Sequence, residues 1–264
     1  MNTTEQRVVV ITGGSGGVGA ACAFQLAKEG AKLIINYSTN EKQALEVVRQ
    51  CKALGGEAVA VKGNVALDVD CVHLARHALD RWGRIDNLIN TAAITQFVPL
   101  TQLDGVQAED FLKVYGVNAV GPFQMARAVE KHMPDGGAIV SVSSIAAQIG
   151  SGSSIPYVLS KAALNSLTLT LARALAPRIR VNAVLPGMIE GKWMTNGLGD
   201  DVYQRVRQQY MDNSALGRIS KPEQIASAVC WLLEKNSSIT GQNIVVDAGF
   251  VLGKLPSAVG AAKK

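Results

Sequence analysis

The chain has 264 residues, 48% of them hydrophobic and 18% charged, which suits one large α/β domain and is short for two. Its apolar stretches are strand-sized, below the roughly 18 residues a membrane span needs. A net charge of +5 arises from lysines and arginines spread along the chain, which argues against nucleic acid as a partner. The first seven residues are polar and carry no apolar secretory region. Four cysteines (Cys22, Cys51, Cys71, Cys230) show no CxxC and no histidine at ligand spacing. Buried, reduced thiols in a cytoplasmic protein with no bound metal are therefore expected.

From the N-terminus, β-branched apolar runs alternate with helical periodicity. Residues 7–12 read as a strand, 18–29 as a helix, 32–36 as a strand and 41–54 as a helix. The alternation continues with strand 58–62, helix 68–82 and strand 87–90. A helical stretch over 110–132, strand 138–142, helix 157–175, strand 180–185, helix 222–233 and strand 243–246 complete it. Runs such as Val8-Val9-Val10-Ile11 lack period-two alternation, as strands covered on both faces do. The expected fold is a single-domain, Rossmann-type α/β domain over residues 1–255. It has a doubly wound parallel sheet of about seven strands and helices on both faces. Residues 256–264, rich in small residues and lysine, are expected to be a flexible tail. The long interruption at 187–220 carries Trp193, Met194, Tyr203, Tyr210 and Met211. It reads as a substrate lid or as surface helices whose aromatics pack on the body.

Between the first strand and first helix stands Thr12-Gly13-Gly14-Ser15-Gly16-Gly17-Val18-Gly19. Glycines let backbone N–H groups approach a phosphate, and the following helix turns its positive end toward it. In a repeating β-α pattern this is the dinucleotide-binding context, with Gly13, Ser15, Gly16, Gly17 and Val18 as candidate contacts. The second strand ends Asn36-Tyr37-Ser38-Thr39-Asn40, with no acidic residue to hold a ribose 2′-hydroxyl. Tyr37, Ser38 and Thr39 are candidate contacts there. Ser38, Thr39 and Asn40 could donate to a 2′-phosphate and Lys42 add charge, which favours NADP(H) over NAD(H).

Ser144 follows a strand, Tyr157 comes thirteen residues later, and Lys161 lies four beyond it on the same helix face. A phenol with a pKa of about 10 is a poor base near neutrality. A nearby ammonium is expected to lower that value, while Ser144 holds a substrate oxygen and Tyr157 transfers the proton.

Taken in order, Thr12-Gly13-x-x-x-Gly17-x-Gly19, Asn90-Thr91-Ala92-Ala93, Asn118, Ser144, Tyr157-x-x-x-Lys161 and Pro186-Gly187 resemble the short-chain dehydrogenase/reductases. The resemblance runs from about residue 7 to residue 249. It implies hydride transfer between a nicotinamide and a ketone or secondary alcohol, with Asn118, Ser144, Tyr157 and Lys161 as catalytic positions. Asn118 would hold a water in a proton relay. Lys161 would also bind the nicotinamide ribose, as part of a cofactor site shared with Tyr157. Further cofactor contacts would be Asn64 and Val65 at adenine, Asn90 and Ala92, and Pro186, Gly187 and Ile189. Substrate contacts would be Ser144, Gln148, Tyr157, Met188, Trp193 and Met194. Three positions depart from the family pattern: Thr91 stands for an asparagine, Ala93 for a glycine and Gly191 for a threonine.

The nearest likeness is to the 3-oxoacyl-[acyl-carrier-protein] reductase group, through Asn64-Val65 and Gly217-Arg218-Ile219 with Pro222-Glu223. Arg178 matches a position that such enzymes use toward their acidic carrier. Asp135, however, places a negative charge where a basic residue often stands. An acyl thioester or a small-molecule ketone therefore both remain as substrates, as does an NAD(H)-linked dehydrogenase of a sugar, steroid or small cyclic alcohol. The family likeness also implies a homotetramer, with interfaces around 110–132 and 157–175 and around 247–255.

Overall fold

A computed structural model describes residues 6–234 and 238–254. The expected tail at 256–264 lies outside the described residues. Seven strands form one sheet: β1 (Val8–Thr12), β2 (Lys32–Tyr37), β3 (Glu57–Lys62), β4 (Asn87–Asn90), β5 (Gly137–Val142), β6 (Ile179–Pro186) and β7 (Asn243–Val246). Their spatial order is β3-β2-β1-β4-β5-β6-β7, and every pairing is parallel. The order reverses between β1 and β4, which pair Val9 with Asn87 through Thr12 with Asn90. A ligand crevice opens at such a reversal, outside the carboxyl ends of the strands.

Helices cover both faces. Helices α1 (Gly17–Lys28), α2 (Glu41–Ala53) and α3 (Asp68–Trp82) connect the first four strands. The expected helix at 110–132 begins earlier and is not uniform. It comprises α4 (Ala108–Tyr115), a π-turn at Gly116–Val120, α5 (Gly121–Val129) and a 3₁₀ turn at Glu130–His132. After β5 come the short α6 (Ala146–Ile149) and the long α7 (Ile155–Leu175). The interruption after β6 holds α8 (Lys192–Leu198) and α9 (Asp200–Asn213), and α10 (Pro222–Leu232) precedes β7.

The absence of alternation in β1 has its cause in burial on both faces. Val9 and Ile11 join one core with α1, α2 and α10, including Leu26, Val47 and Val229. Val8 and Val10 join the other, with Leu74, Met125 and Val129. These two layers fix the sheet rigidly, so the loops at its carboxyl edge stand on a packed base. The four cysteines are buried and free. No helix among the described residues is long and apolar enough to cross a membrane, and no group of three potential metal ligands occurs among them.

Candidate active site

At the β1–α1 junction Gly13 has a φ of 63°, and a Cβ there would lie 2.8 Å from the backbone of Ala92. Only glycine permits both the left-handed backbone and this approach to the end of β4. Buried Asn36 holds the loop in place. Its Oδ1 accepts from Gly13 N at 3.2 Å and its Nδ2 donates to Gly63 O at 2.9 Å. Its carbonyl accepts from Gly14 N at 2.9 Å. Helix α1 begins at Gly17 with no side-chain cap, so its first N–H groups stay available to an anion. Thr12 Oγ1 accepts from the N–H groups of Thr91 and Ala92 at 3.2 and 3.3 Å, which fixes the segment after β4. Asn90 donates to Ser141 Oγ at 3.4 Å, while its buried Oδ1 has no partner. A glycine cradle, an uncapped helix start and a spare buried acceptor fit a dinucleotide at Gly13, Ser15, Gly16, Gly17, Val18, Asn90 and Ala92.

A pocket of about 520 Å³ opens beyond the ends of β2 and β3, lined by Ser38, Lys62, Asn64, Val69, Asp70 and His73 among others. Ser38 and Thr39 are exposed. Asn40 is not free to bind a phosphate, because it caps α2: its Oδ1 accepts from Gln43 N at 3.1 Å and its Nδ2 donates to Gln43 Oε1. Tyr37 is buried and its hydroxyl donates to Glu41 Oε1 at 2.9 Å. This brings a carboxylate to a strand end whose own residues, 36–40, include no acidic one. The Glu41 contact raises the Tyr37 phenol above its usual pKa, so Tyr37 serves α2 more than a ligand. Asn64 keeps its Nδ2, while its N–H donates to Asp70 at 2.7 Å and its Oδ1 accepts from Ala66 N. Val65 departs from expectation. Its side chain belongs to the core, and its carbonyl is taken by Gln124 and Cys71. Only its N–H is left for adenine. Lys62 was missed by the sequence reading. Its signal is strand register, since it stands opposite Tyr37 on β3.

Ser154 caps α7, accepting from Tyr157 N at 3.4 Å, and sets the first turn so that Tyr157 and Lys161 share one face. Lys161 Nζ donates to Val142 O at 2.8 Å and lies 5.7 Å from the Tyr157 ring centre. Ser143 Oγ donates to Lys161 O at 3.2 Å, tying β5 to α7 a second time. Burial pushes the Tyr157 phenol up to about 12, opposed by a hydrogen bond with the Ser144 hydroxyl. Burial also brings the Lys161 ammonium down to about 7. The expected lowering of the phenol by an ammonium is thus absent from the free protein, because the same dry surroundings favour the neutral form of both groups. The arrangement holds a neutral phenol against a serine hydroxyl, with an amine behind it.

Asn118 sits within the π-turn and is fully buried. Its Oδ1 accepts from Ile94 N at 2.8 Å, and its Nδ2 donates to Ile94 O and to Ser160 Oγ, both at 3.0 Å. Ser160 Oγ in turn donates to Tyr157 O at 2.8 Å. Both amide hydrogens and one lone pair of Oδ1 are engaged, so a relay water held at this position would rest chiefly on the backbone, where the π-turn departs from the regular ladder.

After β6, Gly187 lies so close to Tyr210 that a Cβ would stand 1.8 Å from its hydroxyl. That hydroxyl donates to Asp247 O at 2.6 Å, and the Tyr210 ring stacks on Phe250 at 4.2 Å. Met188 is buried with Tyr203, Tyr210 and Ile219, and Met194 packs against the same cluster. Of these two methionines, expected at the substrate, Met188 forms core with α9 and the partly buried Met194 packs against that core from α8. Pro186 ends β6, and Ile189 bridges to Ser220. Trp193 does reach the centre, its ring edge-on to Tyr157 with centroids 6.3 Å apart. The interruption is thus two different things: α9 is anchored by buried Tyr203 and Tyr210, whereas α8 has no buried residue. Gln148 is exposed on α6, one turn beyond Ser144. Arg178 is committed elsewhere, donating to Glu130 Oε2 and O at 2.9 Å and to Met133 O at 2.7 Å.

The family described as enoyl-(acyl carrier protein) reductase matches residues 13–251. A 3-oxoacyl-[acyl-carrier-protein] reductase of Synechocystis is 34% identical over 257 residues, covering 96% of this chain and all of the relative. The short-chain dehydrogenase/reductase of Serratia marcescens has a similar structure, with TM-score 0.84 and 31% identity over 92% of this chain and 97% of its own. The angucycline C-6 ketoreductase LanV with bound NADP aligns with TM-score 0.83 and 31% identity, covering 94% and 96% of the two chains.

Proposed function

The chain belongs to the short-chain dehydrogenase/reductase family, and on that premise we propose that Ser144, Tyr157 and Lys161 carry NADPH-dependent reduction of a free ketone. Family membership brings NAD(P)-dependent oxidoreduction between a ketone and a secondary alcohol. The observation that supports these roles best is the shared α7 face of Tyr157 and Lys161, with the Ser144 hydroxyl against the phenol.

A dihydronicotinamide held at the loop over 13–18, Asn90 and Ala92 would supply the hydride that the carbonyl carbon needs. Ser144 holds the carbonyl oxygen. Tyr157, protonated at neutral pH because burial lifts its pKa to about 12, gives its proton to that oxygen as the alcohol forms. Losing the proton places a negative charge beside Lys161, which favours the ammonium form of that lysine. The amine, brought down to about 7 when the phenol is neutral, then takes up a proton from solvent. Lys161 thereby offsets the phenolate until Tyr157 is reprotonated.

NADP(H) is favoured by Ser38 and Lys62 lining one pocket at the ribose end, and the LanV structure holds NADP. A second reading, NAD(H), is favoured by the Glu41 carboxylate at the same strand end. Parallel fluorescence titration with NADPH and NADH separates them. Lys62→Ala should weaken NADPH about tenfold and leave NADH unchanged, the size of one charge-assisted hydrogen bond. NADH preference in the unsubstituted protein would overturn the phosphate assignment. A free ketone is preferred over a carrier-bound one because Arg178 is held by Glu130 and Met133 while Asp135 is exposed. The catalytic assignment is tested by Tyr157→Phe, which should retain NADPH binding and lose at least about a thousandfold in turnover. Turnover within tenfold of the unsubstituted enzyme would remove Tyr157 from its role.

A further inference from the structure

We propose that Phe97 and Trp193 form an aromatic clamp over Tyr157 that selects flat, ring-bearing apolar ketones over extended acyl thioesters. The proposal rests on the reductase reading above and names its substrate class.

The clamp has two jaws. One is α8, whose residues 193 and 197 are four apart and so share a face. On that face Trp193 stands edge-on to Tyr157 at 6.3 Å. Gly197 meets the Phe97 ring so closely that a Cβ would lie 1.9 Å from it. The face of α8 that covers the phenol is therefore the face that touches Phe97.

The other jaw is the β4–α4 connection, and it is stapled on both sides of the ring. Ile94 exchanges two hydrogen bonds with the Asn118 side chain. Thr95 Oγ1 and Ser153 Oγ lie 2.6 Å apart, and Val98 N donates to Ser153 O at 2.9 Å. Ser153 directly precedes the cap of α7, so Phe97 is carried on a segment bound to the element that presents Tyr157. Trp193 is 48% exposed although it is an indole, and among the described residues no hydrogen bond holds its ring. The Trp193 ring beside the proton donor and the Phe97 ring against the same face of α8 present π-faces and edges to which another ring adds by offset or edge-on contact. A linear 3-oxoacyl chain offers no such surface, and its carrier finds Arg178 already engaged.

The test uses two probes, 2-tetralone and acetoacetyl-N-acetylcysteamine, with the full chain and NADPH. The unsubstituted enzyme should turn over 2-tetralone with at least about tenfold higher kcat/KM. Trp193→Ala and Phe97→Ala should each raise KM for 2-tetralone about tenfold with kcat within about threefold, and leave the thioester KM unchanged, the scale of one lost aromatic pair. Trp193→Phe should restore most of the affinity. Saturable quenching of the Trp193 emission by 2-tetralone, absent in Trp193→Phe, reads binding without turnover. Preference for the thioester, or equal changes for both probes, would overturn the clamp. Loss of all turnover in Tyr157→Phe with unchanged quenching keeps the reductase reading separate. Quenching without turnover by the unsubstituted enzyme would support the clamp and sink the reductase reading.

Discussion

A lysine held 3% exposed leaves a signature in stability against pH. Lys161 has a folded pKa near 7 against 10.5 for the free group, so the unfolded chain binds the extra proton across that interval. Stability must then rise with pH from about 7 toward 10.5 and fall as pH drops through 7. Tyr157 acts at the other end. Its folded value of about 12 lies above the ordinary 10, so the stability it contributes is complete below pH 10 and disappears as pH rises through 12. Urea midpoints of the cofactor-free protein should therefore climb from pH 7 to about 10. Lys161→Met should flatten the climb while leaving the alkaline fall in place. A climb of equal slope in Lys161→Met would show that other groups produce it.

At the scale of elements, the glycine loop carries the clearest prediction. A methyl on Gly13 meets the Ala92 backbone at 2.8 Å with φ at 63°. Gly13→Ala combines left-handed strain with overpacking and should cost roughly 2–5 kcal/mol. The readout is thermal unfolding, together with NADPH affinity at a temperature where the variant is folded. Gly17→Ala, with open space around its Cβ, should cost only the strain term of about 1–2 kcal/mol. Equal losses at both positions would mean that the contact with Ala92 carries no weight. Helix α3 and strands β4 and β7 were legible to the residue because each carries apolar residues at its own period between polar or glycine-bearing ends, as the buried Cys71, Leu74, Ala75 and Ala78 do on α3. Helices α8 and α9 were not, since α8 buries nothing and α9 only Tyr203 and Tyr210. The π-turn has no signature in periodicity. Ser144, Tyr157 and Lys161 could be read from spacing because one helix face and one strand end suffice to bring them together. Val65 and Met188 could not, because which side of a loop is core depends on what packs over it. Phe97 and Lys62 gain their meaning from partners distant in the chain.

For the whole molecule, the distribution of exposed apolar residues argues for assembly. One group lies on the adjoining helices α4, α5 and α7: Leu112, Tyr115, Phe123, Leu159 and Leu169. A second lies around α10, β7 and the segment after it: Trp231, Val245, Val251 and Leu252, the last 83% exposed. Strand β7 is also a sheet edge, whose free backbone groups invite a partner or a cover. A single twofold interface covers one patch on each protomer; with two separate patches the expected closed assembly is a tetramer with two mutually perpendicular twofold axes. The first patch lies within 110–132 and 157–175 and the second only partly within 247–255, and the two are separable by substitution. Leu112→Glu with Phe123→Glu should leave dimers joined through the second patch, and Trp231→Glu with Leu252→Glu should leave dimers joined through the first. All four together should give monomers, with sedimentation equilibrium reporting the mass. Because Tyr115 and Leu159 flank the elements that hold Asn118 and Tyr157, loss of the first interface should lower turnover, whereas loss of the second should spare it. A monomeric unsubstituted protein at micromolar concentration would refute the assembly.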